Sequence, residues 1–225
     1  MKKISLLLLL ILALTGCTSK GDVVDANKNS SKKNSIEVTE KLVFKVGSGD
    51  MTYKYITSID NENNLFKNEF IFDTSSNETR VVKYTILENN AVRNFVNVDG
   101  DGDWHETNDE FRTDYFLCED HIEKVSKENG SYIVSISPNL FSRFLRSFEV
   151  NAPFDYEHLK TLRYYDVIMT IENDLVKSIE VDLLDIINTD NNEEVISYDE
   201  AFLKITYNYD DFELLLPDEI INIME

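Results

Sequence analysis

The residues best spaced for chemistry lie in one short run, Asn97-Val98-Asp99-Gly100-Asp101-Gly102-Asp103, which continues into Trp104-His105-Glu106. Oxygen donors at alternate positions, with a glycine at the sixth, match the opening of a calcium loop. Asp99, Asp101 and Asp103 are the expected metal ligands, with Asn97 and Glu106 as further donors. Counting from Asn97, the twelfth position is Asn108 where a bidentate Glu belongs, and Asp109 and Glu110 lie just beyond it. Binding there would be of low affinity, in the range of about 10⁻⁴–10⁻³ M that suits extracellular calcium modules. The element before the run reads as a strand, so a full EF-hand is not expected. Asp and Gly also form ordinary hairpin turns with no metal. Trp104, the only tryptophan, has two readings: a ligand-contacting aromatic at the mouth of a sheet, or an anchor that packs this turn onto the domain.

Other chemistry is sparse, and the chain reads as a non-enzyme. His105, His121 and His158 are the only histidines, and none forms a metal-ligand pair such as HExxH. There is no CxxC and no GxSxG elbow. Gly47, Gly49, Gly100, Gly102 and Gly130 all fall in expected turns, leaving no phosphate-cradling loop. In so acidic a chain, paired carboxylates arise by chance and name no acid/base couple. Cys118 falls on an apolar helical stripe and is expected to be a buried, inert thiol. No cofactor is implied beyond low-affinity calcium.

The elements that would position these residues begin with alternation. Leu42–Val46 faces Met51–Ile56 across Gly47-Ser48-Gly49-Asp50, a hairpin signal. Runs at 65–72, 80–87 and 91–98 follow, joined by short polar turns, as in an antiparallel meander. The period then changes: Phe111, Tyr115, Cys118, Ile122 and Val125 have the 4, 3, 4, 3 spacing of an amphipathic helix, with Gly130 as its left-handed C-cap. After a strand at 131–136, Ser137-Pro138 supplies an N-cap and a first-turn proline. The helix opened there would carry Leu140, Phe141, Phe144, Leu145 and Phe148 on one face. Such stripes are usually core, but Phe141, Phe144, Leu145 and Phe148 can equally line or gate an apolar cavity. Strands at 163–171, 176–187 and 201–209 complete the chain.

The N-terminus locates the protein. Met1-Lys2-Lys3 precedes 11 residues, Ile4 to Leu14, that are apolar except for Ser5, long enough for a signal h-region. A spanning helix needs about 20 apolar residues. Leu14-Thr15-Gly16-Cys17 resembles the lipobox of bacterial lipoproteins at all four positions. The resemblance implies cleavage before Cys17, a diacylglycerol thioether on its sulfur, and a protein anchored to the extracytoplasmic face of the cell membrane. Two acyl chains hold durably where one holds marginally. Residues 1–16 are thus expected to be signal peptide. Residues 17–35, rich in Ser, Asn, Lys and Asp, are expected to be a flexible lipidated linker with a reach of about 20–25 Å.

Loss of residues 1–16 removes Lys2 and Lys3, leaving 20 basic against 42 acidic residues, a mature charge of −22. That balance argues against nucleic acid, which needs a basic footprint. Residues 36–225, 190 in number, have the length of one domain.

The order of elements over residues 40–220 resembles the LolA-like lipoproteins, through the Tyr132-Ile133-Val134 strand with its mid-chain helix and the closing Tyr209-Asp210-Asp211-Phe212 and Leu216-Pro217. The resemblance implies an α+β fold: a curved, half-barrel-like antiparallel sheet of about eight to ten strands, with two or three helices against its concave face. It also implies an apolar cavity for a lipid or other hydrophobic small molecule. The leading expectation is therefore a membrane-anchored, non-enzymatic binding protein. The alternative is an acidic envelope interaction protein, with a filled core, calcium at Asp99 to Asp103, and a protein partner whose identity the sequence does not give.

Overall fold

In a computed structural model of the chain, the described residues are 19–74, 77–88, 91–98, 103–108, 115–139, 164–185 and 198–225. They carry eleven strands: β1 (Ser35–Val46), β2 (Gly49–Asp60), β3 (Leu65–Thr74), β4 (Asn77–Glu88), β5 (Ala91–Val98), β6 (His105–Thr107), β7 (Ile122–Glu128), β8 (Ser131–Ile136), β9 (Tyr165–Glu172), β10 (Leu175–Asp182) and β11 (Glu200–Asn208). Two α-helices stand among the described residues, α1 (described over residues 19–31) and α2 (Asp218–Met224). The strand order is β6-β5-β4-β3-β2-β1-β11-β10-β9-β8-β7, an open series. This corrects the expected half-barrel of eight to ten strands backed by two or three helices. One added strand is the short β6. The other is β7, which occupies residues assigned to a helix.

The misassignment of β7 has a specific cause. Residues 119–121 form a single 3-10 turn, and Ile122 onward is strand. A β-bulge between Ile122 and Lys124 shifts the register, so that Ile122 pairs with Ile136 and Val125 with Val134. The extra residue puts two side chains three apart on the same face, which imitates helical spacing. Gly130 does have a positive φ of 88°, but it follows Asn129 at φ 50° in the two-residue turn between β7 and β8. Asn-Gly with both φ positive is the turn that suits the twist of a hairpin.

The chain divides into two compact units. The first comprises Met1–Lys32 and Phe116–Val181. Its strands bring Ile122, Val125, Tyr132, Val134, Ile136, Val167, Met169 and Ile179 onto one buried face. Residues 19–31, expected to be part of a solvated spacer, are a helix with Val23, Val24, Ala26, Asn27 and Ser30 buried. Asn27 Oδ1 accepts from the Leu117 N–H at 2.9 Å, and Ser30 Oγ accepts from the Val176 N–H at 2.9 Å. Near the start of the helix, Lys20 Nζ donates to the Ile122 carbonyl at 2.7 Å and the Tyr132 hydroxyl donates to Asp22 at 3.1 Å.

The second unit comprises Lys33–Tyr115 and Asp182–Glu225. Register across β11, β1, β2, β3, β4 and β5 sorts the side chains into two faces. Face A holds Ile36, Val38, Glu40, Leu42 and Phe44 of β1 with Ala201, Leu203, Ile205 and Tyr207 of β11, all buried. Face B holds Leu65, Tyr84, Ile86 and Phe95, which form a core cluster with Ile220 of α2, joined by Trp104, Leu214 and Leu216. The segment leading to α2 is tied down by side chains at the strand ends. Ser35 Oγ donates to the Phe212 carbonyl at 3.1 Å, and Asp60 accepts from the Asn63 and Leu214 N–H groups. Burial alone would raise the Asp60 carboxyl, but these bonds and the one from the Asn63 side chain outweigh it and hold the group below the usual carboxylate range.

Candidate functional site

On face A, β2 and β3 place aromatic side chains opposite one another. Tyr53 pairs with Phe72 and Tyr55 with Phe70. The Tyr53 and Phe72 rings stack with centroids 4.7 Å apart, and Tyr55 and Phe70 lie 4.8 Å apart, tilted by 40°. Phe44 meets Tyr53 edge-on at 6.2 Å and Tyr198 at 5.7 Å. Burial raises the phenol pKa of both tyrosines, and for Tyr53 the neighbouring Tyr198 adds to it. Phe44, Tyr53 and Tyr198 are buried, whereas Tyr55, Phe70 and Phe72 are only half-buried. The ladder therefore passes from core to surface within one pair of strands. Aromatic pairs of this kind contribute about 0.5–1.5 kcal/mol beyond their area.

Polar pairs flank the ladder on the same face. The Thr57 hydroxyl donates to Asn68 Oδ1 at 2.9 Å across β2 and β3, and Thr85 donates to Asn94 Oδ1 at 2.8 Å across β4 and β5. Glu40, beside Tyr55 in register, is 2% exposed. The surface thus combines an apolar platform with fixed polar groups, the composition that orients a mostly hydrophobic ligand. The sequence signal for it was parity: Met51, Tyr53 and Tyr55 alternate, as do Phe66, Phe70 and Phe72, and the two sets face each other only once register is known.

The residues nominated from sequence are placed unevenly. Trp104 is half-buried against the face B cluster, its ring 5.5 Å from that of Tyr84 in an edge arrangement. That cluster lies on the face opposite the aromatic ladder. Of the proposed calcium ligands, Asp103 is exposed, while Asp99 and Asp101 lie outside the described residues. Asn97 Nδ2 donates to the Asp103 carbonyl at 3.1 Å, closing the base of the β5–β6 connection. Glu106 is engaged by Arg93 through two bonds of 2.9 and 3.1 Å, and these lower its pKa. Among the described residues no group of three or more His, Cys, Asp or Glu is arranged to hold a metal ion. Phe141, Phe144, Leu145, Phe148, Cys17 and His158 lie outside the described residues.

Cys118 requires correction. It is exposed and sits ahead of the 3-10 turn, because the helix that would have buried it does not form. Leu117, one residue earlier, is the buried one. Among the described residues no helix is long and apolar enough to cross a membrane.

Comparison with known proteins adds two findings. The profile of a family described as Bacterial PH domain matches residues 23–98, which take in most of α1 and all of β1 to β5. Among solved structures, the chain is similar to a DUF1329 family protein from Desulfovibrio piger at 10% identity, covering 91% of this chain and 95% of that one with a TM-score of 0.34. Among curated proteins nothing matches.

Proposed function

We propose that the protein is a lipoprotein anchored through Cys17 to the extracytoplasmic face of the cell membrane, and that its domain is a non-enzymatic binding module. The ligand is apolar, a lipid or other hydrophobic small molecule, received on the β2–β3 aromatic ladder. The observation that carries this reading is the half-buried set Tyr55, Phe70 and Phe72 continuing a buried aromatic cluster. A surface of this kind loses unfavourable contact with water when an acyl chain or ring covers it. The lipobox residues Leu14-Thr15-Gly16-Cys17 support the anchor.

The test is native mass spectrometry of the mature chain carrying Cys17→Ser, purified from cells without detergent, with and without added calcium. Residues 19–31 must be retained, because α1 is part of the first unit. The expected result is a retained mass of lipid size that disappears in a Tyr55→Ser/Phe70→Ser variant of unchanged thermal stability. A bare mass, unaltered by calcium, would overturn the carrier reading and the calcium site together. It would favour the second reading, an acidic interaction protein. That alternative draws on Leu215, 71% exposed, with Ile221 and Ile223 also exposed at the C-terminal end.

A further inference from the structure

We propose that the lipid on Cys17 holds the first unit in one orientation, with the corner formed by the first turn of α1 on β7 and β8 set against the bilayer headgroups. The inference rests on the lipoprotein reading above and concerns what the anchor does to the domain.

A flexible spacer would let the domain tumble. The chain has no room for one. Residue 19, two residues after Cys17, is already helical, and two residues reach at most about 7 Å. From the start of its described residues α1 is fixed to the first unit by groups more than 100 residues away in sequence. Lys20 Nζ reaches the Ile122 carbonyl at the start of β7. Asp22 accepts from the Tyr132 hydroxyl of β8, and Lys127 of β7 donates to that hydroxyl in turn. The helix continues away from this corner, and its last turns meet β10 and the β9–β10 turn through Ser30 with Val176 and Asn29 with Asp174. Thirteen residues of helix separate the two ends, about 20 Å at 1.5 Å per residue. A lipid attached within two residues of one end holds that end near the headgroups, and with the corner against the bilayer the other end lies farther out.

Charge at the corner permits the contact. The full chain carries −20, and a surface of that character is repelled by anionic lipid. At the corner, Lys20, Lys124 and Lys127 offset three of the five acids Asp22, Glu119, Asp120, Glu123 and Glu128, so the surface held at the bilayer carries only a small part of the chain's negative charge. The partner assigned to this surface is the headgroup layer of the membrane that carries the anchor.

The experiment uses the full lipidated protein in phosphatidylcholine/phosphatidylglycerol vesicles that contain a headgroup-linked quencher. Cys118→Ser removes the exposed thiol, and Cys17 is blocked as its thioether. A single fluorophore is then placed by Glu123→Cys at the corner or by Glu172→Cys beside the β9–β10 turn, both exposed positions. Quenching at 123 is expected to exceed that at 172 by at least about twofold, given the 20 Å helix between the two ends. Inserting a Gly-Ser spacer of about a dozen residues after Thr18, with a reach of about 20 Å, should erase the difference. Equal quenching in an acylated protein would overturn the orientation while leaving the lipoprotein reading intact. A difference that survives the spacer would overturn the role given to the short tether. Absence of the acyl mass on Cys17 would overturn both.

Discussion

The helices near the two ends of the described chain are held in different ways. In the second unit α2 is fixed by grease: Ile220 enters a cluster of Leu65, Tyr84, Ile86 and Phe95, with Leu214, Leu216 and Trp104 around it. In the first unit α1 adds polar fixation to apolar burial: beside Val23, Val24 and Ala26 it buries Asn27 and Ser30, each accepting from a buried backbone N–H. Apolar fixation is strong and non-directional, while polar fixation stabilises less but specifies one position, since a misplaced helix would leave those donors without a partner. For an element two residues after the proposed lipidation site, position matters more than strength.

That contrast can be broken at its strong end first. Phe95 is 0% exposed, and Phe95→Ala is expected to destabilise by about 3–5 kcal/mol, with Ile220→Ala costing about 2–5 kcal/mol. Both are read as a lower midpoint in urea unfolding. A loss below about 1 kcal/mol for Ile220→Ala would show that α2 is a surface ornament and not part of the core.

At the polar end, Asn27→Ala strands the Leu117 N–H and should cost about 1–3 kcal/mol. Hydrogen exchange of the Leu117 amide should accelerate more than that of β1 in the second unit. If both units respond alike, the helix is not fixed in the way described.

The smallest effect is one of pH. The Asp60 carboxyl, although buried, is held below its ordinary value by the bonds from Asn63 and Leu214. A depressed carboxylate contributes stability that is present above its unfolded pKa and is lost as pH falls through the folded one. Asp60→Asn should therefore flatten the acid limb of a stability-versus-pH curve and leave its neutral plateau lower. An unchanged acid limb would remove Asp60 from the account.

The same contrast explains what could be read from sequence. Hairpins with one apolar face were legible: Ala91–Val98 and Ser131–Ile136 fall where alternation put them. The turn at Asn173-Asp174, with φ of 52° and 60°, was legible from its residue types. The helix α1 was not, because Asn27 and Ser30 interrupt its inward stripe and make the segment resemble solvated chain. Its partners, Leu117 and Val176, are too distant in sequence to suggest the pairing. β7 was misread because its bulge imitates a helical period. The aromatic ladder needed register as well as parity, and parity alone was visible. The calcium reading of Asp99 to Asp103 and the stripe from Phe141 to Phe148 fall largely outside the described residues.

The bulge in β7 has one more consequence. Among the described residues this strand pairs with β8 alone and ends the strand order, which leaves a row of backbone donors and acceptors facing outward. Molecules confined to a membrane plane meet each other edge to edge far more often than molecules in bulk. An unbroken β edge would then template the next copy. The bulge interrupts the repeat, and Glu123, Lys124, Lys127 and Glu128 line the strand with exposed charge. The irregularity that disguises the strand in the sequence also makes this edge a poor template for a second copy.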